Sequence, residues 1–223
     1  MATLLLAAGL AAGTPLVILL LATVVRGPFR IWPTPGDGTW QNLTFWFLFR
    51  TTNAAALLLA LVDSGSLQLA PPGLRLAGLV VAGISLALYV RSLASLGPPN
   101  TYCQRAGLVE RGIYRWTRNP QYATAIPAYA GLAVAADSAA AGLLIGLTIA
   151  IYLLMAFAEE PWLKAAYPGA YDRYARRVPR FYNWRRTRAL LRLGRRRLPP
   201  LPPHHRASRM RHLAATGLPR KRR

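Results

Sequence analysis

Two short polar sequences carry the side chains best suited to chemistry. Glu159 and Glu160 end a long apolar run, and residues 118–122 (Arg-Asn-Pro-Gln-Tyr) begin another. Proline suits a first helical position, and the asparagine before it can cap, so the second sequence predicts a helix start suited to an anionic ligand. Adjacent carboxylates at the negative end of a helix repel each other and the helix dipole, a cost that a cationic or polyhydroxyl partner would offset. Taken alone, each pattern also fits an ordinary helix boundary.

A predicted helical hairpin brings the two polar sequences to one level. The apolar runs 122–136 and 138–158 are separated by little more than Asp137, which forces an antiparallel pair. With equal rise per residue, Glu159 and Glu160 are expected opposite positions near 115 and 116. The glutamates and the arginine-rich sequence are therefore expected to meet.

The composition places this hairpin in a membrane protein. Of the 223 residues, 53% are hydrophobic and 16% are charged, which excludes an ordinary soluble enzyme and leaves too much apolar surface for a disordered chain. Cys103 is the single cysteine, so an internal disulfide and a multi-cysteine metal site are excluded. All three histidines lie beyond residue 200, and no metal site is expected in the hydrophobic body.

The apolar runs predict an all-α integral membrane protein with about five transmembrane helices. Arginines concentrate in every second connection, and basic connections stay cytoplasmic, so the amino terminus is expected outside the cytoplasm and the carboxyl terminus inside it. A signal peptide is the alternative for the first run, which lacks a basic leader and exceeds the usual apolar core. The predicted spans are residues 3–25, 45–62, 74–95, 122–136 and 138–158.

The end of the chain is strongly basic. Residues 1–160 hold nine basic and six acidic residues, whereas residues 161–223 hold nineteen basic and one acidic. Arginine and proline runs predict that residues 185–223 form a largely disordered tail, with one short basic helix around Leu190 and Leu193. Anionic lipid headgroups are the expected partner of this tail. Nucleic acid is the alternative polyanion, and none is expected because lipid is nearer.

Residues from Leu96 to Phe181 resemble the isoprenylcysteine carboxyl methyltransferase and phospholipid methyltransferase superfamily of integral membrane enzymes. Asn119 stands where many members carry histidine and is similar to the phospholipid branch, whereas the residues after the glutamates look more like the isoprenylcysteine branch. The resemblance therefore leaves the methyl acceptor open. The shared pattern comprises Gly112, Tyr114, Arg118, Asn119, Pro120, Tyr122, Glu159, Glu160, Leu163, Tyr167, Gly169, Tyr171, Tyr174, Val178, Pro179 and Arg180.

The resemblance implies S-adenosylmethionine-dependent methyl transfer to a lipophilic or lipid-linked acceptor at the cytoplasmic membrane face. The acceptor would be similar to an isoprenylcysteine carboxylate or to a phospholipid amine. The implied cofactor-binding residues are Tyr114, Arg118, Asn119, Pro120, Tyr122, Glu159 and Glu160.

The acceptor site and the catalytic group are less defined. Tyr171, Tyr174 and Arg180 are candidate substrate-binding residues, although the aromatic stretch around them fits an interfacial belt equally well. Methyl transfer gains chiefly from near-attack geometry, and no general base is identified. Cys103 has no visible partner base and is expected to be an ordinary thiol.

Three regions are predicted: transmembrane helices one to three (1–95), a methyltransferase-like core with the hairpin and cofactor site (96–184), and the basic tail (185–223). Two other functions fit the sequence. Membrane sterol and steroid reductases resemble the final hairpin and use NADPH, so binding of adenosylmethionine rather than NADPH separates the two enzymes. In a non-enzymatic scaffold that recruits anionic lipid through its tail, Glu159 and Glu160 would be dispensable.

Overall fold

The computed structural model of the protein describes residues 1–26, 29–102, 104 and 107–182. Every regular element in this part of the chain is helical, which confirms the predicted fold class. Cys103 and the tail predictions for residues 185–223 lie outside the described residues. The helices are α1 (Ala2–Val25), α2 (Trp40–Val62), α3 (Pro72–Leu96), α4 (Pro98–Thr101), α5 (Pro120–Ala136), α6 (Ala139–Ala166) and α7 (Ala170–Arg177), with a 3-10 turn at Gly112–Arg115.

Four helices, α1, α2, α3 and α6, are long and apolar enough to cross a membrane. The predicted fourth span is α5, which has 17 residues, somewhat fewer than the roughly 20 that a crossing needs. It packs between α3 and α6, its two main neighbours. The helices mark the chain as an integral membrane protein, with four candidate spans and one shorter helix among the five predicted.

Two helices extend beyond their predicted ends. α2 begins at Trp40 rather than residue 45, because the Thr39 hydroxyl caps it by accepting the Asn42 N–H at 3.3 Å. α6 continues to Ala166 rather than ending near residue 158, although Pro161 lies inside it. Proline removes one helical hydrogen bond, and the following turn is held by Leu163, which packs on the tyrosines of α7.

α3 is fixed to α5 at a crossing of two glycines. A Cβ atom added to Gly78 would lie 2.6 Å from the Gly131 carbonyl oxygen, and one added to Gly131 would lie 2.6 Å from the Gly78 oxygen. Neither position therefore accepts a side chain, as is common where membrane helices approach closely. Only 11% of the residues in the most apolar stretch of α3 are buried. α3 is therefore an outlying helix, and its attachment to the bundle depends on this crossing.

The core joins α1, α2 and α6 and includes one tryptophan from a connection. Leu16 and Leu20 of α1, Phe45 of α2 and Ile151 of α6 are fully buried. Trp32 stacks on Phe45 with ring centroids 4.5 Å apart. The connection between α1 and α2 is thereby packed into the bundle.

The long helices alternate in direction, which gives the bundle two ends. The end that carries connections 26–39 and 97–119, the last turns of α6 and helix α7 is called the site end. The opposite end, with connection 63–71 and the turn between α5 and α6, is called the far end. At the far end, the Asp137 carboxylate accepts the backbone N–H groups of Leu69 and Ala70 at 3.2–3.3 Å.

Candidate active site

The carboxylate of Glu160 holds two arginines at the site end. Arg180 donates from Nε to Oε1 at 2.8 Å and from Nη2 to Oε2 at 2.5 Å, and Arg118 Nη2 lies 3.0 Å from Oε1. The Glu160 side chain is only 9% exposed, and a buried carboxylate is tolerated when it is paired in this way. Both oxygens are thus used by this chain itself, which makes Glu160 an anchor for the arginines.

Glu159 starts a second series of hydrogen bonds, which leads to the connection between α1 and α2. The Tyr122 hydroxyl donates to Glu159 Oε2 at 2.5 Å and accepts from Trp32 Nε1 at 3.1 Å. Tyr122 is 2% exposed and Trp32 is 4% exposed. Trp32 was not predicted, because no local motif marks a residue whose partner lies 90 positions away.

The predicted meeting of the hairpin ends occurs, with a small shift. Glu160 contacts Arg118 and Glu159 contacts Tyr122, whereas equal rise predicted positions near 115 and 116. Residues 116–119 are not helical, and extended backbone covers more length per residue than a helix. Fewer residues are therefore needed between the turn and Arg118, whereas Tyr122 lies inside α5 and reaches Glu159 through the length of its side chain.

Residues 178–182, called here the C-terminal strap, cross the beginning of α5. The Arg180 carbonyl oxygen accepts from the Thr117 hydroxyl at 2.9 Å and from Asn119 Nδ2 at 3.2 Å. The strap thus fixes the non-helical residues that carry Arg118. Two further bonds join Arg118 N–H to the Pro179 oxygen (2.9 Å) and the Tyr182 hydroxyl to the Ala123 oxygen (2.6 Å).

The predicted asparagine cap is not formed. α5 begins at Pro120, as expected, but its N-cap Asn119 makes no side-chain capping bond. The Asn119 side-chain amide donates instead to the Arg180 carbonyl oxygen in the strap, and Asn119 is 4% exposed. The prediction was wrong on this point because the competing acceptor, the Arg180 carbonyl, lies 61 residues further along the chain.

Helix α7 and Tyr167, the C-cap residue of α6, support the chain before α5 from one side. The Tyr174 hydroxyl donates to the Tyr114 carbonyl oxygen at 2.7 Å, and the Gly107 N–H donates to the Tyr167 hydroxyl at 3.2 Å. Tyr171 and Tyr174 are 1% and 3% exposed. The two tyrosines of α7 are therefore part of a packed wall rather than an exposed aromatic belt.

These elements enclose a cleft between the ends of α3, α6 and α7. Its cavity volume is about 40 Å³, and about 520 Å³ of empty space lies there when open solvent is included. Small-molecule sites usually measure about 300–1,000 Å³, so a nucleoside cofactor would also occupy the space that is open to solvent. The lining residues are Leu96, Asn100, Gly107, Leu108, Val109, Tyr114, Arg118, Asn119, Gln121, Glu159, Trp162, Leu163, Tyr167, Tyr171 and Tyr174.

Three buried polar atoms on this cleft have no hydrogen-bond partner among the described residues. They are the hydroxyls of Tyr114 and Tyr171 and the Nε of Arg118. The Arg118 guanidinium also lies over the Tyr171 ring, 5.8 Å from its centroid. A buried polar atom without a partner is costly, so all three are suited to meet a polar ligand.

Three tyrosine hydroxyls of the cleft, those of Tyr114, Tyr171 and Tyr174, are neutral near pH 7. Burial raises the pKa of Tyr171 above its ordinary value of 10, and the Glu160 charge adds to this effect while Arg118 partly opposes it. Burial likewise raises the pKa of Tyr114, with a smaller contribution from Glu159, and the pKa of Tyr174. These groups can give or accept a hydrogen bond but are poor proton acceptors.

The predicted site residues divide into two sets. Tyr114, Arg118, Asn119, Glu159, Tyr171 and Tyr174 line the cleft. Pro120, Tyr122, Glu160 and Arg180 are not part of its lining and support it from behind. Trp162 also lines it and was not predicted, although it lies one turn after Glu159 on the same helix. Gln121 and Leu163 line it as well; they belong to the sequence patterns but were not among the predicted site residues.

The lining offers groups suited to a ligand that carries hydroxyl, ammonium and carboxylate groups. Glu159 offers a carboxylate to hydroxyl or ammonium groups, Arg118 Nε and the two free hydroxyls can bind a carboxylate, and Trp162 offers an apolar face. No group of three or more His, Cys, Asp or Glu side chains that could hold a metal ion occurs in the described part of the chain.

Comparison with known families finds a match to the phospholipid methyltransferase family over residues 74–170. No curated protein and no solved structure matches the chain. The match starts earlier than the predicted Leu96 and ends before the strap, so it includes the hairpin and both glutamates but not Trp32 or Arg180. The resemblance to the isoprenylcysteine carboxyl and phospholipid methyltransferase superfamily, which the sequence motifs indicate, is thereby confirmed for residues 74–170.

Proposed function

We propose that the protein transfers a methyl group from S-adenosylmethionine to a lipophilic acceptor in the cleft at the site end. The observation that carries this proposal is that three residues lining the cleft with Glu159 have buried polar atoms without described partners, namely Tyr114 OH, Tyr171 OH and Arg118 Nε. A ligand with a carboxylate and hydroxyl groups would satisfy all three atoms, which favours binding. The matched family supports methyl transfer as the reaction.

Bound adenosylmethionine would supply an electrophilic methyl group on a positively charged sulfur. In this chain, Arg118 Nε and the two hydroxyls would bind the cofactor carboxylate. Glu159 would accept from the ribose hydroxyls or the amino group, and its negative charge favours a cationic ligand. Glu160 and Arg180 act one step further back, because they fix the direction of the Arg118 guanidinium.

The cleft offers little machinery for proton transfer, and positioning is the expected source of the rate. Tyr114, Tyr171 and Tyr174 are neutral, and Glu159 is the only carboxylate among the described residues of the lining. A carboxylate acceptor similar to isoprenylcysteine needs no base. A phospholipid amine, the acceptor type that the matched family favours, must arrive unprotonated or give its proton to Glu159.

The site end is proposed to face the cytoplasm, with the amino terminus outside and the tail attracting anionic lipid headgroups. The arginine-rich connection 97–119 supports this orientation. Cysteines introduced at Ser66 (far end) and Asp172 (site end), each in a Cys103→Ser background, test it with a membrane-impermeant maleimide on intact cells. Ser66→Cys should be labelled and Asp172→Cys should not, and the reverse pattern would overturn the orientation.

Calorimetry on detergent-purified protein tests the cofactor. Adenosylmethionine and its demethylated product should bind, and NADPH should not. Glu159→Gln should weaken adenosylmethionine binding about 10- to 100-fold, the value of one or two hydrogen bonds to a charged group. Asp172→Asn is the matched control, since it removes one carboxylate from an exposed position outside the cleft lining.

Each other outcome points elsewhere. NADPH binding without adenosylmethionine binding would favour the reductase. Folded protein that binds neither would favour the scaffold, and equal losses in Glu159→Gln and Asp172→Asn would remove Glu159 from the site.

A further inference from the structure

A second cavity lies at the far end, away from the candidate active site. It measures about 430 Å³, which is within the usual range for small-molecule sites. It opens because α3 packs on α5, while no comparable packing joins α3 to α2 in the described part of the chain. Its lining is Ala60, Leu61, Ser64, Ala70, Pro72, Arg75, Leu76, Leu79, Leu132, Ala135 and Ala136.

The cavity has apolar walls and one cation. Arg75 is fixed by two hydrogen bonds, from Nε to the Ala135 oxygen at 3.0 Å and from Nη2 to the Ser64 hydroxyl at 2.6 Å. None of the ion pairs among the described residues includes Arg75. The nearby carboxylates bond elsewhere: Asp63 to the Ser138 and Ser66 hydroxyls, and Asp137 to backbone N–H groups. The guanidinium is therefore held in place without a described counter-ion.

We propose that this cavity binds one acyl chain of a phospholipid, with the lipid phosphate at Arg75 and Ser64. Two walls belong to the candidate spans α2 and α3, so the opening between them meets the hydrocarbon of the bilayer. A chain that fills this space makes the van der Waals contacts that an empty one forfeits. A phosphate would supply the negative counter-ion that the Arg75 guanidinium lacks among the described residues, and arginine pairs well with phosphate oxygens.

This lipid would be distinct from the methyl acceptor. Leu96, which lines the candidate active site, lies 21 residues after Arg75 on α3, about 30 Å at the rise of an α-helix. That distance equals the thickness of the bilayer hydrocarbon, so the two sites serve opposite leaflets. The proposed lipid joins α3 to α2 and steadies the helix whose other end forms a wall of the cleft.

Native mass spectrometry of the delipidated, cofactor-free protein tests the site. Dioleoyl phosphatidylglycerol is titrated, with dioleoylglycerol as a ligand that has the same chains and no phosphate. One phospholipid should bind tightly, and dioleoylglycerol should bind at least about tenfold more weakly, in line with the loss of a charge-assisted contact. Since no cofactor is present, the result is independent of the proposed methyl transfer.

Two variants on α3 and their matched controls locate the lipid. Arg75→Gln removes the positive charge of the cavity. Leu79 is 54% exposed, so Leu79→Trp places a larger side chain in the cavity without changing the core. Each variant should weaken phospholipid binding about tenfold or more. Arg91→Gln and Ile84→Trp make the same changes on exposed parts of α3 outside the cavity lining and should leave binding unchanged. Equal retention by Arg75→Gln and Arg91→Gln, or equal binding of dioleoylglycerol, would overturn the proposal.

Discussion

Replacing Glu160 with glutamine removes the single negative charge that Arg118 and Arg180 contact together. The amide keeps one acceptor oxygen but presents N–H groups in place of the other, and Arg180 donates to both of these positions while Arg118 contacts Oε1. Because Glu160 is an anchor in the structure, the substitution is expected to act first on stability. Its effect on the cofactor should be smaller and should follow from a less well-held Arg118.

The magnitude follows from the exposure of the three side chains. Breaking a fully buried ion pair costs about 3–5 kcal/mol. Glu160 and Arg118 are 9% and 13% exposed, but Arg180 is 34% exposed. Water therefore partly solvates the Arg180 guanidinium once its ion pair is lost. We expect a loss of about 2–3 kcal/mol, which lowers the Tm of a chain of this size by about 4–12 °C.

Thermal unfolding in one fixed detergent measures this loss, with Glu110→Gln as the matched control. That substitution breaks the ion pair of Glu110 with Arg177, whose distance is 2.9 Å and whose side chains are 37% and 58% exposed. Exposed pairs contribute about 0–1 kcal/mol, so the control should lower the Tm by no more than about 4 °C.

Calorimetry at a temperature well below the Tm of both variants then measures their affinity for adenosylmethionine. Adenosylmethionine affinity should fall less for Glu160→Gln than for Glu159→Gln. A Tm equal to that of Glu110→Gln, together with complete loss of adenosylmethionine binding, would refute the reasoning and make Glu160 a direct ligand.

Three further predictions follow from single features of the structure. Tyr171→Phe removes a hydroxyl without a described partner, so the Tm should change little while adenosylmethionine affinity falls about 2- to 10-fold; an unchanged affinity by calorimetry would place the ligand elsewhere. In Gly131→Ala the new Cβ atom would lie 2.6 Å from a backbone oxygen, so the free energy of unfolding should fall by about 1–3 kcal/mol and the Tm should fall with it. Gly142→Ala places its Cβ atom in open space and should be neutral or stabilising. Burial raises the pKa of Tyr114, Tyr171 and Tyr174 in the folded state, so their contribution to stability is complete below pH 10 and is lost as the pH rises above it; a Tm that stays level from pH 9 to pH 11.5 would contradict this.

The helices and the hairpin were predictable because their signals are local. Apolar runs gave the long helices, Pro120 marked the start of α5, and a connection of two residues forced the α5–α6 pair. From that pair alone, the meeting of the glutamates with the sequence around Arg118 followed. The continuation of α6 past Pro161 was missed, because contacts distant in sequence determine it.

The hydrogen-bond and ion-pair partners within the site were not predictable, because they too depend on contacts distant in sequence. The sequence suggested that Glu159 and Glu160 share one role, yet one lines the cleft and the other pairs with arginines. Which carboxylate takes which role depends on the strap returning across α5, and no spacing in the sequence encodes that return. Trp32 illustrates the same limit, since only tertiary packing brings it to Tyr122.

The strap also determines when the site is complete during biosynthesis. Arg180 leaves the ribosome after all of the long helices, so Glu160 enters the membrane with Arg118 as its only described partner and gains its bidentate contact last. Until then, the residues around Arg118 lack the carbonyl oxygens of Pro179 and Arg180 that fix them. A nascent chain that has inserted its spans but not released residue 180 would therefore be anchored in the membrane while its candidate site is still incomplete.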